Sequence, residues 1–442
     1  MNRKDDFRQV ISEWLLQELP PVVDRDIRIP LDSSLIISIT GPRRSGKTFL
    51  MYSVIKKIKN TVPESNVLYV NFEHERLRNL DANDLRDMLL IYYELSHIDG
   101  SFPVYLFLDE IQTVNDWSRW VNRVYESKKF RIYLSGSSSK LLSRELSSEL
   151  RGRSIDYTVL PFSFREYLEV KGTSFQNLEL ILHSERRGSI IGALRDYISK
   201  GGFPEVVFLK DEKEKLLKSY VDTIIIKDVG ERFRIEPSIL ITFFNYAISN
   251  YSKYFTGNKT YNYLKTLNYR ISRDYPNVLI DHFEEVFALF HAEIFSTNAK
   301  SKKQYPKKLY VVDTGIINAA VKKEEIGRLM ENVVFTELTR RSEFSSKFQI
   351  SYWKEYGKSE GKEVDFVIIE RNSVVELINV TFASSREDVS DREIDGLIEA
   401  VEELKCSKIR VITWDYFEEG KISFTPLWYW LLTDGYFQAR NS

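Results

Sequence analysis

The sequence predicts an α/β protein whose first domain is built around a parallel sheet. Short β-rich runs alternate with segments of helical spacing over residues 35–134, which is the pattern of parallel βαβ units. A glycine-rich loop, Gly41–Thr48, follows the first run and opens the first helix, and a later apolar run ends in Asp109 and Glu110. The carboxyl ends of parallel strands share one sheet edge, so we expect the loop and the acidic pair to form one site.

Apolar periodicity predicts the individual elements. In the core we predict strands at 35–39, 67–72, 104–108 and 131–134 and helices at 49–58, 82–97 and 116–127. Helical spacing continues through 175–235, interrupted at Gly201–Pro204, and short aromatic-rich helices follow up to a strand at 285–295. Farther on we predict strands at 309–312, 349–355, 363–370, 373–381 and 408–414 and helices at 327–341 and 391–405.

Composition limits the classes of protein. The chain has 442 residues, 43% hydrophobic and 29% charged, which is typical of a globular protein with two or three domains. Its net charge of −1 restricts any nucleic-acid surface to a local patch. The single cysteine, Cys406, excludes an intramolecular disulfide and favours a reducing compartment. With no signal-peptide pattern and no run of eighteen apolar residues, we predict a cytoplasmic protein without a membrane span.

The segment Gly41-x4-Gly46-Lys47-Thr48 matches the phosphate-binding loop consensus. Its glycines let backbone N–H groups curl around phosphates at the N-terminus of a helix. We expect Lys47 to bridge the β- and γ-phosphates and the Thr48 hydroxyl to bind magnesium, with ATP and Mg²⁺ as the ligands. The alternative is an ordinary glycine turn. The residues predicted to contact the nucleotide are Gly41, Pro42, Arg43, Arg44, Ser45, Gly46, Lys47, Thr48 and Phe49.

The run Leu106–Glu110 supplies the second half of this site. Asp109 is expected to hold magnesium, and Glu110 is expected to orient and deprotonate the attacking water. The alternative is a solvated strand end.

Three further side chains are candidates for sensing or stabilising the phosphates. Ser137 follows the next strand, where a polar residue can sense the γ-phosphate, although a plain serine-rich loop is the alternative. Arg151 and Arg153 are candidates for an arginine finger that acts in cis or from a neighbouring subunit, which would imply a homo-oligomer. A structural salt bridge is the alternative for either arginine.

Several motifs in this order resemble a family of prokaryotic, especially archaeal, AAA+-like P-loop ATPases. The motifs are GPRRSGKT, YLFLDEIQ, IYLSGSSSKLL, LRGRS, LPFSFREYL, GGFPEVV, YVDTIIIKDV and KLYVVDTGI. The resemblance extends from about residue 10 to 434, and the C-terminal part is similar to the restriction-endonuclease-like PD-(D/E)xK fold. It implies an ATPase core at 1–165, a helical lid at 166–235, a winged-helix-like segment at 236–300 and a restriction-endonuclease-like domain at 301–442.

The implied winged-helix segment carries basic and aromatic residues that can face DNA phosphates. A solvated face with a few packed tyrosines is the alternative. The residues are Lys259, Tyr261, Lys265, Tyr269, Arg270 and Arg273.

The resemblance also implies a nuclease-type site, which needs clustered carboxylates for magnesium and a lysine beside the attacking water. Glu331 on a helix and Asp365 on a strand match the first two acids, with Glu337 as a second helix candidate. Asn379 stands at the third acid position and Thr381 at the lysine position, and threonine cannot replace an ammonium. We therefore predict a degenerate site that serves binding or assembly.

Nuclease activity remains the alternative because of other residues in the same segment. Lys354 or Lys362 can supply the missing charge from a neighbouring position. Glu376 lies three residues before Asn379, hence on the opposite face of a strand, and is not expected to replace it.

The predicted function is a magnesium-dependent ATPase whose nucleotide state controls a DNA-associated C-terminal module. Two alternatives stay open. One is an ATP-gated, metal-dependent DNA nuclease, and the other is a regulatory NTP switch that does not bind DNA.

Overall fold

A computed structural model describes residues 3–138, 152–296, 298, 305–321, 325–344, 348–355 and 361–433. The chain divides into two compact units, Met1–Leu160 and Pro161–Ser442. Among the described residues, no helix combines the length and the apolar character that crossing a bilayer requires.

The first unit is a five-stranded sheet with flanking helices. Its helices are α1 (Arg3–Leu16), α2 (Lys47–Ile58), α3 (Ala82–Leu95) and α4 (Trp117–Glu126). Its strands are β1 (Ile36–Thr40), β2 (Val67–Asn71), β3 (Val104–Asp109), β4 (Phe130–Gly136) and β5 (Ser154–Thr158).

The sheet has the order β2-β3-β4-β1-β5, and every neighbouring pair is parallel. This confirms the predicted parallel α/β core. β1 and β3 are buried along their whole length, as expected for central strands covered by helices on both faces. Because β4 lies between β1 and β3, the carboxyl ends of these three strands meet at one place.

The second unit begins with helices, as the spacing over 175–235 predicts. They are α5 (Phe164–Val170), α6 (Leu178–Leu182), α7 (Arg186–Lys200), α8 (Pro204–Phe208) and α9 (Lys213–Thr223), which continues into a π-helix at Ile224–Glu231. Farther along are α10 (Pro237–Ser249), α11 (Gly257–Thr266), α12 (Tyr275–Glu285), α13 (Thr314–Ala320), α14 (Ile326–Phe344), α15 (Asp391–Leu404) and α16 (Leu427–Leu432).

A mixed eight-stranded sheet forms the rest of this unit, in the order β13-β12-β11-β10-β9-β7-β8-β6. The strands are β6 (Tyr254–Phe255), β7 (Leu289–Ile294), β8 (Lys307–Val311), β9 (Gln349–Lys354), β10 (Glu363–Glu370), β11 (Ser373–Val380), β12 (Ile409–Thr413) and β13 (Ser423–Pro426). β7 pairs antiparallel with β8 and parallel with β9. Strands on both sides of the implied boundary at residue 300 therefore belong to one sheet.

The predicted strand at 285–295 is wrong at its start. Helix α12 extends to Glu285, and Phe287 turns the chain with a φ of 58° before β7 begins at Leu289. The apolar residues at 286–288 pack in the core without being part of the strand.

The turn predicted at Gly201–Pro204 is held by a buried carboxylate. Asp313 Oδ2 accepts the N–H of Gly202 at 2.7 Å, and Oδ1 accepts the N–H of Gly315 at 2.8 Å. Burial raises the pKa of Asp313 to about 6 despite these bonds. A Cβ atom on Gly202 would lie 2.3 Å from the Phe162 carbonyl oxygen, so the turn requires glycine there.

Candidate functional site

The phosphate-binding loop connects β1 to α2 at the carboxyl edge of the first sheet. Gly41 has a φ of 144°, and a Cβ atom there would lie 2.2 Å from the Val159 carbonyl oxygen. Gly46 has a φ of 98° directly before α2 begins. Both glycines are therefore required by the backbone, and the loop ends at a helix N-terminus that favours anions.

Lys47 is buried and points back into the loop. Its Nζ donates to the carbonyl oxygens of Gly41 at 3.1 Å and Pro42 at 3.0 Å. It also lies 3.5 Å from Glu110 Oε1. The ammonium thus lies between the loop and the acidic strand end.

Asp109 is fully buried at the end of β3, and both of its oxygens accept hydrogen bonds. Thr48 Oγ1 donates to Oδ2 at 2.6 Å, and the Tyr69 hydroxyl donates to the same oxygen at 2.7 Å. Ser135 Oγ donates to Oδ1. The structure therefore brings together Thr48 and Asp109, the two residues predicted to bind magnesium.

Glu110 has left-handed backbone, with a φ of 54°, and is only 8% exposed. Burial alone would raise the pKa of its carboxyl, but Lys47 and the Gln112 amide outweigh burial and lower it. Gln112 Nε2 donates to Oε2 at 2.5 Å, and the backbone N–H of Glu110 donates to Ser135 Oγ at 3.0 Å. The result is an ionised carboxylate held beside the phosphate-binding lysine.

Ser137 is buried and directly follows β4. Sequence reasoning missed Ser135, which bonds both acidic residues of the site. Ser135 lies on β4, beside β3, and no local pattern in the sequence indicates its contact with Asp109.

The remaining loop residues differ in exposure. Arg43 donates to Glu73 Oε1 at 2.8 Å, and Phe49 is 51% exposed. Ser45 is buried, and its carbonyl oxygen accepts a bond from Arg25 Nη1 at 2.9 Å. Arg25 was missed by sequence reasoning because it precedes the first predicted strand.

Of the two candidate fingers, Arg151 lies outside the described residues. Arg153 Nη1 donates to Glu126 Oε1 at 3.0 Å and to Asn122 Oδ1, both on α4. Its guanidinium also lies 5.6 Å from the centroid of the Tyr125 ring. These contacts fit a structural ion pair, and they leave the side chain about one-third exposed.

Tyr69 was also missed, and it gives a first prediction. In Tyr69→Phe, the ring keeps its contacts with Trp14 and Tyr52, at 5.3 and 5.0 Å between centroids, while Asp109 loses one donor. Because partners of this kind orient a metal ligand, we expect ATP turnover to require about tenfold more magnesium.

Turnover measured against magnesium concentration checks this. Tyr133→Phe is the matched control. In the described part of the chain, the Tyr133 hydroxyl donates only to the backbone carbonyl oxygens of Pro30 and Leu31. Identical magnesium dependence in Tyr69→Phe and wild type would show that the tyrosine does not orient Asp109.

A pocket of about 500 Å³ lies in the second unit. It brings together the three residues predicted for a nuclease-type site, Glu331, Asp365 and Asn379. Asn379 Oδ1 accepts the backbone N–H of Asp365 at 3.0 Å, and Asp365 Oδ2 accepts that of Val380 at 2.9 Å. The other lining residues are Gly327, Arg328, Glu363, Val380, Thr381, Phe382, Ser390, Arg392 and Glu393.

A lysine from β8 forms ion pairs with two of these side chains, Glu331 and Asp365. Lys308 Nζ lies 2.7 Å from Asp365 Oδ1 and 3.0 Å from Glu331 Oε1, and the Tyr310 hydroxyl donates to that same Glu331 oxygen at 2.9 Å. Burial favours the neutral amine, but Asp365 and Glu331 outweigh it and raise the pKa of Lys308 well above its usual value. Burial also raises the pKa of Glu331, to about 7.

Lys354 and Lys362, the alternative sources of the missing charge, have other contacts in the described part of the chain. Lys362 pairs with Glu399 at 3.1 Å, and Lys354 Nζ lies over the Tyr254 ring at 4.6 Å. Neither makes the contacts to Glu331 and Asp365 that Lys308 makes.

Two other acids of this unit have structural partners. Glu337 accepts from Arg340 at 2.9 Å and from Arg341 at 2.8 Å. Glu376 accepts from Lys408 and Arg410, both at 2.8 Å, and does not line the pocket. The expectation that Glu376 does not replace Asn379 agrees with this placement.

The part of the chain that contains the phosphate-binding loop matches a known family. The family model of an AAA domain matches residues 33–168. Together with the parallel sheet, the phosphate-binding loop and the acidic strand end, this match defines the N-terminal part as an AAA+-like P-loop ATPase domain. Two models described as a domain of unknown function (DUF8612) and a domain of unknown function (DUF4143) match residues 191–326 and 326–430.

The whole chain has relatives of similar length. It is 32% identical to the uncharacterized protein MJ1544 of Methanocaldococcus jannaschii, over 98% of this chain and 96% of that protein. It is 28% identical to an uncharacterized protein of Haemophilus influenzae, over 91% and 95%. The chain therefore belongs to the family of the Methanocaldococcus jannaschii protein MJ1544.

Among solved structures, the chain is similar to the Aeropyrum pernix ORC1 protein in complex with DNA. The identity is 12% and the TM-score 0.32, over 74% of this chain and 93% of that one. For AMPPCP-bound DnaA from Aquifex aeolicus the identity is 16% and the TM-score 0.20, over 56% and 81%. At these TM-scores, the similarity does not indicate a function.

Proposed function

We propose that this protein is a magnesium-dependent ATPase whose nucleotide state controls a DNA-associated second unit. The single observation that carries the ATPase part is the hydrogen-bonded pair Thr48 and Asp109 beside the ionised Glu110 and Lys47. These are the four side chains that magnesium-dependent phosphoryl transfer to water needs, at one sheet edge.

The residues fit a magnesium nucleotide. The loop from Gly41 to Gly46 presents backbone N–H groups at the start of α2, and Lys47 can exchange its loop carbonyls for phosphate oxygens. Thr48 would bind the metal, with Asp109 holding the hydroxyl and the metal's water shell. When bound, magnesium would neutralise charge on the phosphates.

Glu110 is proposed as the group that accepts the proton of the attacking water. Its pKa is lowered, so it is ionised near neutral pH and can accept a proton. Its left-handed backbone costs about 1 kcal/mol relative to an ordinary strand end, and strain of this kind is concentrated at functional positions. Gln112 helps to hold the carboxylate in place.

Arg153 is proposed as a finger that acts from a neighbouring subunit, with the structural ion pair to Glu126 as the alternative. In Arg153→Ala we expect ATP turnover to fall by about 10³-fold while nucleotide affinity changes little, because a finger stabilises charge only in the transition state.

Turnover and nucleotide affinity of purified variants test this. Arg131→Ala is the control, since it removes a comparable ion pair with Asp32. Equal turnover in Arg153→Ala and Arg131→Ala would leave Arg153 with the structural role.

A winged helix is proposed for the segment from α10 to β8. Its element order is helix, strand, helix, helix, strand, strand, and β8 pairs antiparallel with both β6 and β7. This order and pairing support the resemblance. Four exposed basic residues of the segment are available for phosphates, namely Lys259, Lys265, Arg270 and Arg273.

Two of the predicted aromatic residues there are engaged within the fold. The Tyr269 hydroxyl donates to the Ser238 carbonyl oxygen at 3.1 Å, and Lys265 Nζ lies 5.8 Å from the Tyr261 ring centroid. Arg273 donates to Asn258 Oδ1 at 3.0 Å, a contact that leaves its guanidinium partly free. We therefore propose phosphate contact through the basic residues rather than stacking on bases.

The second candidate function is an ATP-gated nuclease on a restriction-endonuclease-like domain. The pocket that contains Glu331, Asp365 and Asn379 favours it, and Thr381 at the lysine position weighs against it. A nuclease would nick DNA with magnesium or manganese and lose this activity in Asp365→Ala. A switch that does not bind DNA would shift no DNA in a retardation assay.

One experiment separates the three functions. ATP turnover is measured with no DNA, with single-stranded DNA and with duplex DNA, and the DNA is examined for nicks in the same tube. The proposed function predicts turnover that DNA stimulates, with the DNA intact. Nicked DNA would favour the nuclease, and turnover that DNA does not change would favour the switch.

A further inference from the structure

The second unit contains an ammonium group at the position that a nuclease-type site reserves for a metal. Lys308 is 3% exposed in its side chain, and Nζ bridges Asp365 Oδ1 at 2.7 Å and Glu331 Oε1 at 3.0 Å. A metal-dependent nuclease, the class that the C-terminal sequence resembles, would need a divalent ion between these two carboxylates.

The surrounding contacts enclose this ammonium. The Tyr254 ring lies over it, with the centroid 5.8 Å from Nζ, and the Tyr254 hydroxyl donates to Glu363 Oε2 at 2.7 Å. A cation over a ring face is attracted to it, so acids hold the ammonium on one side and an aromatic ring on another. Lys308 is therefore a buried partner of Glu331 and Asp365, two of the residues that line the pocket.

The second carboxylate oxygen of Asp365 and the amide oxygen of Asn379 also accept hydrogen bonds. Asp365 Oδ2 accepts a backbone N–H from Val380, and Asn379 Oδ1 accepts one from Asp365. A divalent ion between Glu331 and Asp365 would meet the protonated amine of Lys308 at the same carboxylates. The residues present therefore do not fit the metal that the resemblance implies.

We propose that the Lys308 ammonium replaces the divalent metal ion, so that the acidic side chains of this pocket are held together without a metal. Lys308 and Tyr310 are two residues apart on β8 and therefore share a face, and both donate to the same oxygen of Glu331. The strand that supplies this cation also pairs with β6 and β7. The strand that carries Lys308 therefore connects the pocket to the proposed winged helix. The winged helix rests on the proposed function, but the ammonium bridge does not rest on it.

Manganese binding tests the replacement. Bound Mn²⁺ is counted by electron paramagnetic resonance on the full-length protein without nucleotide, for wild type, Asp365→Asn, Lys308→Met and the double variant. Methionine has a similar length to lysine and no charge, so Lys308→Met leaves two uncompensated acids. We expect equal Mn²⁺ in wild type and Asp365→Asn, one additional Mn²⁺ per chain in Lys308→Met, and loss of this ion in the double variant.

Two results would overturn the proposal. One is wild-type Mn²⁺ binding that disappears in Asp365→Asn, and this comparison decides the question even if Lys308→Met does not fold. The other is a folded Lys308→Met protein, judged by circular dichroism, that gains no Mn²⁺. Neither readout depends on ATP turnover or DNA binding, so the test is independent of the proposed function.

Discussion

Replacement of Glu110 by glutamine is expected to leave ATP binding in place and to slow turnover by at least roughly 100-fold. Glutamine keeps the shape of the side chain, but its amide cannot accept a proton from water. The wild-type carboxylate is held ionised by Lys47 and Gln112, so the variant loses the one group of the site that is poised as a base. Steady-state turnover, together with titration of a fluorescent ATP analogue, measures both effects.

Glu64→Gln is the matched control for this prediction. Glu64 lies before β2, at the opposite edge of the sheet, and pairs with Lys59 at 3.4 Å with most of its side chain exposed. We expect this variant to behave as wild type. If Glu110→Gln turned over ATP as fast as Glu64→Gln, another group would have to activate the water.

Replacement of Gly202 by alanine is expected to have the largest effect on stability. The new Cβ atom would lie 2.3 Å from the carbonyl oxygen and 3.2 Å from the amide nitrogen of Phe162. Both partners are backbone atoms, and the Phe162 N–H bonds the Gly202 carbonyl at 2.8 Å while the Gly202 N–H bonds Asp313. We expect a loss of about 3 kcal/mol or more in the free energy of unfolding.

Gly192→Ala provides the opposite result within the same unit. Gly192 lies on the exposed face of α7, and a Cβ atom there would have no neighbour within 4 Å. Alanine is the better helix former, so we expect a gain of about 1 kcal/mol. Denaturant unfolding measures both variants. A Gly202→Ala protein as stable as wild type would show that the turn can relax.

The sequence predicted the parts of the nucleotide site that are encoded locally. The loop from Gly41 to Thr48 and the pair Asp109 and Glu110 are contiguous motifs, and each follows a buried strand. Ser135 and Tyr69 could not be assigned in the same way. Their contacts with Asp109 depend on how β2, β3 and β4 lie beside one another, and no local pattern specifies that register.

The contacts of Lys308 in the second unit could not be predicted for the same reason. It lies 57 residues before Asp365 in the chain, and it reaches the pocket only because β8 and β10 belong to one sheet. Lys354 and Lys362 are nearer to Thr381 in the sequence, but both have other contacts. The short strands β6 and β13 were missed because two and four residues are too few to show alternation.

ATP hydrolysis by the full-length protein with magnesium, in wild type and in Lys47→Ala, tests the proposed ATPase function most directly. Lys47 connects the loop to Glu110 at 3.5 Å and is the side chain that phosphates would recruit. We expect measurable turnover in wild type that is lost in Lys47→Ala and on removal of magnesium. Equal turnover in both proteins, or none in wild type under any nucleotide, metal or DNA condition, would contradict this function.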